Sequence, residues 1–105
     1  EKNPWAVVAA RRARAGMWAA CGEFAEARAE YEAAVKATGK QADAKSYVQM
    51  LIGDVCREAG DLDAAEAAYL AAQKIGLYGD RKVQVPQRLE EIRKLKAASA
   101  GAGKP

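Results

Sequence analysis

Cys21-Gly22-Glu23-Phe24-Ala25-Glu26-Ala27 returns 38 residues later as Ala59-Gly60-Asp61-Leu62-Asp63-Ala64-Ala65, and the match continues with Tyr31 facing Tyr69 and Ala34 facing Ala72. Self-similarity at a fixed period marks a supersecondary unit present twice, each copy burying its apolar face against its neighbour. The residue types name the unit. Glycine permits a tight turn, and alanine at three- and four-residue steps lets two helices approach closely. The aromatic fills the wider gap beyond them.

Working outward from the two glycines, the periodicity predicts five helices and no strand. Asn3-Pro4 is a helix start, since the Asn side chain caps free amides and Pro fits the first turn. A first helix is expected over about 4–20, anchored by Trp5, Val8 and Trp18. A second, about 23–38, sets Phe24, Ala27, Tyr31, Ala34 and Val35 on one side. The third, about 42–59, has the cleanest stripe, in Val48, Leu51, Ile52, Val55 and Cys56. The fourth, about 62–75, repeats the second, with Asp63 and Glu66 spaced as a capping box. Pro86 is expected to open a fifth helix to about residue 98, where Val85, Leu89, Ile92 and Leu95 leave one narrow apolar edge, the profile of a cap. Residues 99–105 are mostly small, Gly101-Ala102-Gly103 included, and are expected to be a disordered tail. Residues 1–98 thus form one domain, with repeat units over about 4–39 and 42–79.

Alanine makes up about a quarter of the 105 residues, a helix-rich composition. No apolar run is long enough for a membrane helix, so no membrane insertion is expected and a cytoplasmic location is. The chain has no histidine, and Cys21 and Cys56 lack metal or redox spacing; both are expected to be buried as small apolar residues. With no phosphate loop and no nucleophile–base motif either, neither an enzyme nor a cofactor is expected. The net charge of +3 hides a segregation. Residues 1–20 carry four basic side chains against Glu1, residues 21–80 six basic against eleven acidic, and residues 81–105 seven basic against Glu90 and Glu91. Basic ends flanking an acidic middle can orient a charged partner or favour head-to-tail association.

The turn glycine followed by an acidic and an apolar residue, with Ala, Tyr and Ala at these steps, resembles the tetratricopeptide repeat family over about residues 5–80. The second unit also has Ile52-Gly53 ahead of its turn. The first departs there, with Arg14-Ala15, neither unit ends in proline, and the 38-residue period exceeds the common one of about 34. The resemblance implies antiparallel helical hairpins stacked as a short right-handed α-solenoid. It also implies that the first helix of each hairpin lines a concave groove gripping peptides or partner helices. Arg12 then falls in the groove in the first unit, and Tyr47, Met50, Asp54 and Arg57 in the second. These five are the expected partner contacts, for a protein, a peptide or a second copy of the chain, the alternative being that Tyr47 and Met50 pack against the fifth helix. Gly16 and Asp54 stand where a carboxylate-clamping member carries asparagine, so that specificity is not expected. The second unit also resembles the pentatricopeptide repeat, the alternative being RNA binding. There Met50 would have to read a base edge, which it cannot, and the acidic middle repels phosphate.

Overall fold

The computed structural model describes residues 3–102, all of whose regular structure is α-helical. The elements are α1 (Pro4–Ala20), α2 (Phe24–Ala37), α3 (Ala42–Glu58), α4 (Leu62–Ile75) and α5 (Arg81–Ala102). Asn3 Oδ1 accepts from the Trp5 amide at 2.9 Å and starts α1 as expected. The period reappears in the backbone: α1 and α3 have 17 residues each, and α2 and α4 have 14 each.

Both turns within the hairpins close in the same way. Gly22 and Gly60 take φ of 77° and 86°, the left-handed region where a side chain is strained. Each is followed by the equivalent hydrogen bond, Glu23 N–H to the Trp18 carbonyl in the first turn and Asp61 N–H to the Cys56 carbonyl in the second, both at 2.9 Å. This is the six-to-one closure that ends a helix and reverses the chain. In the second copy Asp61, not Asp63, then caps the new helix, its Oδ1 accepting from the Ala64 amide at 3.0 Å.

Helix α3 packs on α1, α2, α4 and α5, whereas the backbones of α2 and α4 stay apart. The molecule is elongated, 57 × 30 × 18 Å. Its core is one cluster running through all five helices, centred on the α3 stripe with Tyr31, Tyr69, Val85, Leu89 and Ile92. Two α3–α4 contacts depend on residue type. Gly53 leaves room for the Tyr69 ring, and the buried Ser46 hydroxyl donates to the Ala72 carbonyl at 3.3 Å.

Four expectations are corrected. Helix α5 begins at Arg81, five residues before Pro86, because the chain already turns helically over Tyr78–Gln84, with Arg81 N–H on the Tyr78 carbonyl and Gln84 N–H on the Asp80 carbonyl. Pro86 therefore lies inside the helix near its start, where it removes a single bond. Residues 99–102 continue α5 instead of forming a tail, while 103–105 lie outside the described residues. Trp5 and Trp18 are not core but 41% and 38% exposed. Cys21 is exposed, and only Cys56 is buried, where desolvation pushes its thiol pKa up. No helix among the described residues is long and apolar enough to cross a membrane.

Candidate functional site

Because α1, α3 and α5 run the same way, their N-terminal turns gather at one end of the molecule. Trp5 of α1 and Tyr47 of α3 meet there with ring centroids 5.7 Å apart and planes inclined by 44°. Arg12 and Arg81 place their guanidinium carbons 6.0 and 5.4 Å from the Tyr47 centroid, within cation–π range. Arg81 also ion-pairs with Asp43 and donates to the Asp43 carbonyl, so one side chain joins the start of α5 to the start of α3. Its own burial lowers its pKa, yet its Nε–H is buried without a hydrogen-bond partner. Trp5, Tyr47, Tyr78, Asp43, Asp80 and Arg81 line a concavity of about 350 Å³ at this corner. Three half-exposed aromatic rings around one hollow form an amphipathic surface of the kind found where proteins meet.

Of the five expected contact residues, the fold brings Arg12 and Tyr47 to this corner, ties Asp54 and Arg57 to α5 and buries Met50 in the core. Met50 is only 5% exposed and belongs to the core. Asp54 accepts hydrogen bonds from the Tyr69 hydroxyl and from Arg88 Nε, the latter at 2.8 Å. Arg57 pairs with Glu91 of α5 at 2.8 Å. Burial and the bond to Asp54 both raise the Tyr69 pKa, so its phenol stays a protonated donor. Along the second unit the surface expected to form a groove is therefore occupied by α5.

The charge segregation of the sequence resolves inside the molecule. Glu30 on α2 receives Arg11 at 2.8 Å and Arg14 at 3.3 Å from α1. The Arg11 hydrogen bond is the main reason its carboxyl pKa is held down, with the Arg14 charge and the Trp18 indole acting the same way against desolvation. At the other end Lys96 of α5 contacts Asp63 at 2.7 Å and Glu66 at 3.1 Å. Hydrogen bonds to these two carboxylates raise the Lys96 pKa. Basic outer helices are thus tied to the acidic helices between them.

Sequence reasoning missed a second concavity. Between α2 and α4, whose backbones stay apart, lies an open groove of about 700 Å³ rimmed by Arg28, Glu32 and Lys36 and lined by alanines such as Ala33, Ala67 and Ala68. Its signal in the sequence is the run of further alanines on α2 and α4, beyond those matched between the two repeats. Among the described residues no group of three or more metal-ligating side chains is gathered. No family model, curated protein or solved structure matches this chain.

Proposed function

We propose that the chain is a protein–protein interaction module of the tetratricopeptide kind, two hairpins and the capping helix α5 stacked as a short right-handed solenoid. It holds a partner at the corner formed by the starts of α1, α3 and α5. The equal helix lengths and the identical turn closures in the two units support the repeat reading. The observation that carries the functional reading is the cluster of half-exposed Trp5, Tyr47 and Tyr78 around one hollow, with Arg12 and Arg81 beside Tyr47. An extended segment bearing a proline or aromatic side chain suits rings of this kind, and Asp43, Asp80 and the arginines would fix its direction. The unpaired thiols of Cys21 and Cys56 fit a reducing, cytoplasmic setting. RNA binding gains no support, since Met50, at the base-reading position, is buried.

The test compares proteins captured from the native source by the wild-type chain, by the Trp5→Ala/Tyr78→Ala double variant and by Arg93→Glu on the outside of α5. The double variant is expected to lose the specific partner while its helicity by circular dichroism persists, and Arg93→Glu to keep it. Equal capture by all three removes the corner from the proposal.

A further inference from the structure

The corner at the starts of α1, α3 and α5 offers ring faces and unspent hydrogen-bond donors. Trp5, Tyr47 and Tyr78 surround its hollow, and Asp80 and Gln84 also line it. Among the described residues no hydrogen bond uses the Trp5 indole N–H, the Tyr47 and Tyr78 hydroxyls or the Gln84 amide. Arg12, which stands over Tyr47, is exposed and has no ion-pair partner among them either. Of the two carboxylates at the hollow, Asp43 is taken by Arg81. Exposed Asp80 is the one left free among the described residues.

These groups discriminate between the ways in which a peptide is recognised. A strand needs a sheet edge, and every regular element among the described residues is helical. A helix is about 10–12 Å across with its side chains and lies in a long groove, for which a hollow of about 350 Å³ is too small. A phosphorylated segment needs a cluster of free arginines, whereas here Arg81 is neutralised by Asp43 and Asp80 stands beside it. The polyproline II helix has needs that the corner meets. It makes no internal hydrogen bonds, so its carbonyls are free to accept, and each proline removes an N–H that would have required an acceptor. Its rings dock on aromatic faces. The Trp5 and Tyr47 centroids, 5.7 Å apart, are separated by about two residues of such a helix, whose rise is about 3.1 Å.

We infer that the segment held at this corner is proline-rich and in the polyproline II conformation, with a basic residue beside Asp80. This rests on the corner being the binding surface and adds what it binds. An ordinary extended segment with an aromatic side chain would bring its backbone N–H groups as well, and the hollow has one free carboxylate to receive them. Donors on the protein meet acceptors on the segment, and the remaining acid meets a base.

Isothermal titration of the whole chain tests this with an oligoproline peptide of about ten residues ending in arginine, and with a glycine–serine peptide of the same length and ending. The oligoproline peptide is expected to bind one to one, and the flexible control about tenfold more weakly or worse, since it must be ordered on binding. Trp5→Ala/Tyr78→Ala should weaken oligoproline binding by about tenfold or more while helicity by circular dichroism persists. Asp80→Lys should reverse the charge preference, so that an oligoproline ending in glutamate binds better than the one ending in arginine. No binding up to millimolar peptide overturns the inference, as do equal binding of the two wild-type ligands, oligoproline binding that the double variant retains, or a preference that Asp80→Lys leaves unchanged. Failure of oligoproline while the double variant still loses the native partner removes the proline-rich segment and leaves the corner as the binding surface. A double variant that keeps the native partner removes both.

Discussion

A Cβ built on Gly53 would lie 2.4 to 2.8 Å from three atoms of the Tyr69 ring, which is fully buried and cannot swing away. Glycine is therefore present for close approach and not for backbone freedom, since its conformation is helical. Gly16 has the same helical conformation in α1, but nothing lies within 4 Å of its missing Cβ. The pair gives a prediction with opposite signs. Gly53→Ala should destabilise by about 1–3 kcal/mol through overpacking, and Gly16→Ala should stabilise by about 0.5–1 kcal/mol through helix propensity. Urea unfolding of both variants at low protein concentration checks this, and a stabilised Gly53→Ala would mean the ring has somewhere to go. Such type-level constraints are partly legible in sequence. The position of Gly53 ahead of the turn could be read, and its partner Tyr69 lay on the repeat. What could not be read was which aromatics stay outside: Trp5 and Trp18 look like core residues in a one-dimensional pattern, but Trp5 lies on Tyr47 at an open corner and the Trp18 indole lies beside the Glu30 carboxylate.

At the scale of the element, α1 to α4 end within a residue of where periodicity and turn glycines place them, because each boundary is a local event. The start of α5 is not local in this sense. Proline at residue 86 looks like a first-turn residue, whereas the helix is begun earlier by the turn over Tyr78–Gln84 and tied down by Arg81 on Asp43. This helix is held by a thin apolar edge, Val85, Leu89 and Ile92, and by ion pairs from Arg81, Arg88, Glu91 and Lys96. Burying three such side chains contributes on the order of 5–8 kcal/mol before the ordering of the helix is set against it. Local opening of α5 should therefore precede global unfolding. Hydrogen exchange is expected to be faster in α5 than in α3, and faster again at high salt, where part-exposed pairs are screened. Leu89→Ala should lower the opening free energy of α5 by about 2–5 kcal/mol and leave the α1–α2 amides unchanged. Uniform acceleration across all five helices would show instead that α5 is an inseparable part of one cooperative unit.

For the whole molecule, the segregated charges and the site tell the same story about legibility. Basic ends and an acidic middle were visible in sequence. That they satisfy one another within the chain was not, because the pairing Arg11–Glu30 spans a hairpin and Arg88–Asp54 spans 34 residues. The same long-range packing explains why Arg12 and Tyr47 reach one corner while Asp54 and Arg57 go to α5 and Met50 into the core: helix faces follow from spacing, but what covers a face does not. One of these pairings makes stability depend on pH in the acid range. Arg11 first, and Arg14 and Trp18 after it, hold the Glu30 carboxyl below its ordinary pKa. A group whose pKa is depressed by folding contributes stability that is complete above its unfolded value and is lost as pH falls through its folded value. Glu30→Gln keeps the shape and removes the charge. The variant should melt several degrees below wild type at neutral pH, and the gap should narrow through the region below the ordinary glutamate range, as the wild-type carboxyl takes up its proton. Thermal melts of both proteins across that range provide the measurement. A gap that stays constant into strong acid would assign the effect of the substitution to packing, and would leave the tie between α1 and α2 without its electrostatic part.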